Sequence, residues 1–272
     1  MRDKKNIYNK ISSLSISEET FRKAEIRQAK REKLATIFEV TKAYCIANKK
    51  TELKTKKYLI GETNFTNLIK QKTIISVVNK DCVEVANELA LKGKTCVLNM
   101  ANAINKGGGV ERGAMAQEEE LCRRSNLWYG LRPSYYPMQD DEFIYTKNVK
   151  FFRNKQYEFM NEFKCDILTI AAPCLINFKP GRYPKNYSKI VQEKIKIMIY
   201  APYYMGVKHL ILSAFGCGAF RNNPKFMSSM FKKQIKLLNL PYETITFAIL
   251  DDSNSKANGL SNFETFKKTL SL

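Results

Sequence analysis

A chain of 272 residues, 44% hydrophobic and 26% charged, is long enough to bury one large core and has the composition of a folded soluble protein. Lys and Arg number 46 against 26 Asp and Glu, a formal charge of +20, and such a balance favours anionic partners: nucleic acid, phosphorylated metabolites or an acidic polymer. The opening stretch MRDKKNIYNKISSLSIS lacks the apolar segment of a secretion signal. The most apolar internal run, ILTIAAPCLI, is too short to span a bilayer, and the seven cysteines include no C-x-x-C pair. Reduced thiols, no membrane association, a cytoplasmic or nuclear location and a monomeric state are the expectations.

Residues 1–57 carry sixteen Lys/Arg against seven Asp/Glu, and SEETFRKAEIRQAKREKLATIFEVTKAYCIAN places Leu34, Ile37, Phe38 and Thr41 at helical spacing. With Ser17 ahead of Glu18 and Glu19 as its start, this part reads as a basic N-terminal helical extension. A second unit, residues 58–272, follows. In it TIISVVN (73–79) reads as a strand and KDCVEVANELALKG as a helix ending at Gly93, followed by a strand TCVLNM (95–100). After a glycine run comes a helical AQEEELCRRSNLWYGL, then CDILTIAAP (165–173), a buried strand stopped by Pro173. SKIVQEKIKIMIYAPYYM reads as a helix and VKHLILSAF as a strand. PKFMSSMFKKQIKLLN is a helix opened by Pro224, TITFAIL a strand and NFETFKKTLSL a last helix. Near-continuous apolar strands alternating with helices predict a three-layer α/β/α fold with the sheet covered on both faces.

Two glycine-bearing loops follow strands: NKGGGVERGA (105–114) and SAFGCGAFRNNP (213–224). Glycine permits positive φ and lets amide N–H groups approach an anion without a Cβ in the way, and each loop feeds a helix N-terminus. Neither is a Walker loop or a G-x-G-x-x-G fingerprint. Either loop alone is as well explained by a tight turn; two at separate strand ends suit a diphosphate. Glu118, Glu119 and Glu120 follow the first loop. Acids in a first turn complement the helix dipole, but a helix starting at Ala114 puts Glu118 on an apolar stripe with Leu121 and Ser125, where a carboxylate needs a partner. The dipole favours the charged form and burial the protonated one, and the residues alone leave both open.

The pattern NxANxxNxGGGxxxGAxAQEExLCRxS, with GGG at 107–109 and QEE at 117–119, resembles the signature of the microbial-type poly(ADP-ribose) glycohydrolases. GCGAF (216–220) is similar to that family's second phosphate loop, and the strand succession from about 73 to 250 is compatible with a macrodomain-like mixed sheet. The resemblance implies that Glu119 is the catalytic acid and that Glu118 holds ribose hydroxyls and assists it. Asn102 would bind the ribose at the scissile bond, with Asn105 close by. Gly107, Gly108 and Gly109 would approach the diphosphate, with Val110 and Gln117 also against the ligand. Gly216, Cys217, Gly218 and Ala219 would wrap the diphosphate through backbone amides, and Phe220 would wall the ribose. The sequence departs from the family where Lys106 stands in place of a proline and Cys174 in place of an expected asparagine.

The implied reaction is hydrolysis of the ribose–ribose bond in poly(ADP-ribose), acting on ADP-ribosylated proteins, with no metal and no cofactor. Glu118 and Glu119 are neighbours and share one side of the bond, so one acid acting twice is simpler than two flanking carboxylates. His209 reads as a sheet residue, Cys217 as a small residue that fits, Trp128 and Tyr129 as core, and Asp251 and Asp252 as a turn. Glu120 reads as solvated, and the Tyr/Lys-rich segment 179–204 as a solvated helix or a basic face for polymer. Competing readings are an ADP-ribose-binding module without catalysis, a hydrolase of single ADP-ribose units on protein or nucleic acid, and a nucleic-acid-binding protein whose glycine loops are only turns.

Overall fold

Short apolar runs alternating with amphipathic stretches give seven strands and seven helices among the residues that the computed structural model describes, 18–60, 73–251 and 260–271. The strands are β1 (Lys54–Leu59), β2 (Ile74–Val78), β3 (Thr95–Ala101), β4 (Glu142–Arg153), β5 (Phe159–Ala171), β6 (His209–Leu212) and β7 (Thr244–Ala248). The helices are α1 (Glu18–Ala47), α2 (Cys82–Ala90), α3 (Gln117–Arg124), α4 (Leu127–Gly130), α5 (Tyr187–Tyr204), α6 (Pro224–Leu238) and α7 (Asn262–Leu270). Ser17, the expected start of the first helix, lies outside the described residues.

One mixed sheet runs β1-β4-β5-β3-β6-β7-β2. The five strands from β5 to β2 are parallel, and β4 is antiparallel to both β1 and β5. Helices α5, α6 and α7 cover one face over Leu168, Ile170, Met198, Phe231, Phe247 and Phe266. Helices α1 to α4 cover the other over Phe38, Val97, Leu121, Phe151 and Ile167. The three-layer α/β/α architecture follows, with an N-terminal helix joined to its second layer. Residues 22–33 of α1 are exposed, and Leu34, Phe38, Thr41 and Cys45 pack inward one turn apart. Local chemistry sets the boundaries. Asp81 caps α2 by accepting from the Val83 and Glu84 amides, Asn223 caps α6 ahead of Pro224, and Ser261 with Glu264 forms a capping box on α7. Among the described residues no helix is long and apolar enough to cross a membrane.

The structure differs from the sequence reading in five places. β1 crosses the expected boundary at 57/58 and pairs with β4, so the helical part ends before residue 54. β4 and β5 form a long hairpin of which only the stretch from 165 on is legible as a strand. A bulge near Asn148, at φ +55°, breaks the alternation in β4. The helix after the glycine run starts at Gln117, because Ala116 is extended (φ −90°, ψ 176°). It also stops early: Ser125 is extended, donates its hydroxyl to the Leu121 carbonyl and bridges to Phe151, splitting one expected helix into α3 and α4. The segment 179–204 is not a solvated helix. Its helical part, α5, buries Tyr187, Val191, Ile195 and Met198 against the sheet.

Candidate active site

β3 is hydrogen-bonded to β6 on one side and β5 on the other, so the loops leaving these strands emerge side by side, about 4.8 Å apart per strand. The first loop begins at Asn102, whose side-chain oxygen accepts from the amides of Ile104 and Asn105, both at 2.8 Å. The chain then turns on Asn105, whose carbonyl accepts from Gly108, and passes through Gly107 (φ +67°) and Gly108 (φ +61°). A Cβ on Gly108 would stand 2.4 Å from Oε1 of Glu119 and 3.1 Å from Oε2 of Glu118. The backbone of the glycine run therefore lies directly on the two carboxyl groups, and that approach is the physical reason for glycine there. Val110 closes the run as a fully buried contact of the core, with its amide bonded to the Gly107 carbonyl.

Gln117 fixes the start of α3 to β3. Its oxygen accepts from the Met100 amide at 2.8 Å and its nitrogen donates to the Leu98 carbonyl at 2.6 Å. It bonds both groups as a neighbouring strand would, just past Val97, the last residue of β3 paired with β6. Glu118 and Glu119 are both buried, 2% and 6% exposed. Glu118 accepts from the Asn102 amide at 2.7 Å and from the Asn99 side chain at 3.4 Å. Burial pushes its pKa up to about 8, with the Asn102 amide opposing and the Glu119 charge adding to the shift, so the carboxyl is largely protonated near neutral pH. Glu119 accepts from the Gly109 amide at 2.8 Å and from Ala116 at 3.0 Å. One carboxylate thus ties the glycine run to the helix start. Glu120 is half-buried and held rather than free in solvent: Tyr157 donates to both of its oxygens, and Arg123 pairs with it at 2.8 Å while also donating to the Ala114 carbonyl.

The raised pKa of Glu118 carries a pH dependence. Between the ordinary carboxylate value of 4.5 and about 8 the folded chain holds a proton that the unfolded chain releases, so this contribution to stability is full below 4.5 and falls as pH rises. The melting temperature is expected to drop between pH ~5 and ~8, the site contributing a few kcal/mol across that window. Glu118→Gln should flatten the slope. An unchanged slope would show that Glu118 is already ionised at pH 5.

In the second loop, Gly216 has φ +71°, and a Cβ there would meet Asn222 Nδ2 at 2.6 Å and Ala172 Cβ at 2.7 Å. Asn222 organises the turn: its amide donates to the carbonyls of Pro173 at 2.8 Å and Gly216 at 3.0 Å, while Tyr187 donates to its oxygen at 2.7 Å. Among the described residues no carbonyl accepts from the amides of Gly218, Ala219 or Phe220, which leaves these donors available to a ligand. The Phe220 carbonyl accepts from Leu175, and its ring packs against the core under α5 to α7. Burial pushes the Cys217 thiol up, which disfavours the thiolate a nucleophile needs.

Lys106, where the family has a proline, packs on an aromatic ring. Its ammonium lies 3.4 Å from the ring centre of Trp128, and burial lowers its pKa to about 8. Trp128 also stacks edge-on against Phe38, as a core residue would. His209 sits in the sheet bonded to Thr244, and Asp251 accepts from Ser261, the cap of α7; Asp252 lies outside the described residues. Cys174 is exposed. Sequence reasoning gave no role to Asn99, the first residue of the glycine-run pattern, which also donates to Thr169 at 3.2 Å, or to Asn222, inside the second loop. Their partners are a neighbouring strand and a carbonyl 49 residues away, which the motifs do not reveal.

A sheet whose neighbouring strand ends carry two glycine loops, with paired buried glutamates beneath one of them, defines a macrodomain-like hydrolase. Solved structures agree. The poly(ADP-ribose) glycohydrolase of Deinococcus radiodurans in complex with ADP-ribose superposes with a TM-score of 0.70 at 26% identity, over 80% of this chain and 94% of that one. That of Thermomonospora curvata gives 0.68 at 24%, over 79% and 85%, and its complex with the inhibitor ADP-HPD gives 0.67 at 24%, over 79% and 84%. No curated relative matches the sequence. The family model for the microbial-type PARG catalytic domain matches residues 4–154, more than half of the chain, and the chain belongs to that family. It is a glycosidase of the poly(ADP-ribose) glycohydrolase type.

Proposed function

We propose that the chain releases ADP-ribose from poly(ADP-ribose) by cleaving the ribose–ribose bond, with Glu119 as the acid and base. The observation that carries this reading is the contact of the glycine run with both carboxyl groups, the Gly108 Cβ position lying 2.4 Å from Glu119. A ligand laid along that loop meets Glu119 without an intervening side chain. Protonated Glu119 gives its proton to the leaving 2′-oxygen as positive charge develops on the other ribose. The carboxylate formed then takes a proton from the attacking water, and the cycle closes with Glu119 protonated. Glu118, neutral and tied to the Asn102 amide, keeps a second charge away from its neighbour and offers a donor to a ribose hydroxyl. Asn102 and Asn105 would border the scissile ribose, Gly107 to Gly109 would approach the diphosphate and ribose, Gly216 to Ala219 would wrap the diphosphate and Phe220 wall the ribose, whereas Val110, fully buried in the core, lines no ligand surface. Gln117 contacts β3 and holds the helix that presents both glutamates.

The T. curvata structure with ADP-HPD and the D. radiodurans structure with ADP-ribose support the same ligand here. Seven free thiols suit a reducing, intracellular setting; ADP-ribosylated proteins would carry the substrate, and the extension over residues 1–57 and the unit over 58–272 would act together as a monomer. The test is incubation with labelled poly(ADP-ribose) alongside a melting curve in ADP-ribose. Released ADP-ribose with a raised melting temperature is the expected result. A melting shift without release would favour the binding module, and no shift would remove the reading.

A further inference from the structure

The face of β1, β4 and β5 away from α3 and α4 carries a charge arrangement that the hydrolytic site does not use. Lys54 of β1 stands directly opposite Lys147 of β4, and Lys150 of β4 directly opposite Lys164 of β5. Lys56 lies one alternation further along β1, opposite Tyr145, with its ammonium 4.8 Å from the Tyr58 ring centre. The alternation puts all five on one face. Tyr145 and Phe143, on the same side of β4, belong to the core under α5 to α7, whereas Val149 and Phe151 belong to the core on the opposite face. The bulge at Asn148 keeps Lys147 and Lys150 on the same side. Lys54, Lys56 and Lys164 are exposed, and Lys147 and Lys150 half-buried. Between Lys54, Lys56, Tyr58, Tyr145 and Lys147 lies an open cleft of about 200 Å³.

Like charges directly opposite across a strand pair destabilise a sheet, and here two such pairs sit side by side. Among the described residues none of the five forms an ion pair. Asp166 is held by Lys94 and Tyr145 and Glu162 by Lys50, while Glu52, two residues before Lys54, forms no ion pair with any of the five. The unpaired charge calls for a partner outside the chain. Five positive charges occupy roughly 10 Å across the strands and about 15 Å along them. That is about one charge per 3 Å along the strands, close to the ~3.4 Å phosphate repeat of the one duplex strand that a flat face can meet. Poly(ADP-ribose) spreads two charges over each unit of adenine and two riboses. The patch also lies on the opposite face of the sheet from α3, which carries Glu118 and Glu119.

We propose that Lys54, Lys56, Lys147, Lys150 and Lys164 form a docking surface for the phosphate backbone of duplex nucleic acid, separate from the hydrolytic site. Lysines on a flat sheet, without helix or strand entering a groove, read charge and not sequence. The surface would hold the chain on nucleic acid while the glycine loops remain free.

The full chain, a variant with all five lysines changed to Gln, and a control with Lys33, Lys189, Lys233, Lys236 and Lys268 changed to Gln are titrated with a labelled duplex of about 20 base pairs over a salt series. The five-lysine variant should lose at least tenfold in affinity at about 100 mM salt, and its salt slope should fall by roughly four to five relative to wild type, with the control close to wild type. Its melting temperature should equal or exceed that of wild type, since two repulsive pairs are removed. The double variant Lys54→Gln/Lys56→Gln, both exposed on the edge strand, should show a smaller loss of the same kind. Equal affinity in variant and wild type, or an equal loss in the control, would overturn the proposal. So would a larger loss for poly(ADP-ribose) than for duplex, measured in the Glu119→Gln background where polymer persists. Release of ADP-ribose by the otherwise unaltered five-lysine variant should match wild type, so failure of docking is separable from failure of the hydrolytic reading.

Discussion

Glu119→Gln is expected to slow release of ADP-ribose by at least about 10²-fold, and by up to roughly 10⁴-fold, while ADP-ribose still raises the melting temperature. The geometry explains why loss of the proton should dominate. The Gln oxygen can still accept from the Gly109 amide, now at 2.8 Å from Oε1, so the glycine run keeps one of its two ties. The other tie, Ala116 to Oε2 at 3.0 Å, would face an NH2 group and be lost. Leaving one buried donor unpaired costs about 1–3 kcal/mol in stability, which a melting curve reads separately from the rate. Glu118→Gln is the informative companion. Gln has the shape and a donor of the protonated Glu118 that burial enforces, so it should lower the rate less than the change at 119. If Glu119→Gln releases ADP-ribose within tenfold of wild type, or if Glu118→Gln is the more damaged variant, the acid is assigned to the wrong neighbour.

The parts of this site that were legible in the sequence are those where a residue type has few physical alternatives. Three consecutive glycines followed by QEE at fixed spacing mark a backbone that must pass close to something, and in the structure that something is the pair of carboxyl groups themselves. The parallel strands were legible because burial on both faces leaves unbroken apolar runs such as TCVLNMA and CDILTIAA. β4 was not, because its bulge shifts the alternation halfway along and Lys147 and Lys150 interrupt the apolar run on one face. The fate of Glu120 was invisible for another reason: Tyr157 comes from the β4–β5 turn, 37 residues away, and a partner at that range follows from the hairpin that the sequence hid. Lys106 illustrates the same limit. Its substitution for the family's proline is plain in the sequence, but its resting place on Trp128 depends on where α3 gives way to α4.

The second large effect is expected at Gly113, which belongs to the glycine-run pattern but to which no ligand role is given. It ends the turn after the glycine run at φ +68°, and a Cβ there would stand 1.9 Å from the backbone carbonyl oxygen of Arg31 in α1. The obstacle is backbone, in a helix anchored by Leu34 and Phe38 less than two turns further on, so it cannot swing aside like a side chain. Gly113→Ala should therefore combine the strain of a left-handed alanine, about 1–2 kcal/mol, with an overpacking cost of about 1–3 kcal/mol. For a chain of this size the sum corresponds to a fall in melting temperature of roughly 5–15 °C. Gly181→Ala supplies the comparison: its φ is +77°, but nothing lies within 4 Å of the added carbon, so it should show the conformational strain alone. The difference between the two variants isolates the contact between α1 and the loop. That contact has a catalytic consequence, because Gly113 is one residue from Ala114, whose amide bonds the Gly109 carbonyl, and the Gly109 amide in turn holds Glu119. A loop pushed off α1 should slow release of ADP-ribose in Gly113→Ala and leave Gly181→Ala near wild type. Equal melting temperatures for the two variants would mean that α1 yields freely, and that the N-terminal helix does not brace the glycine run.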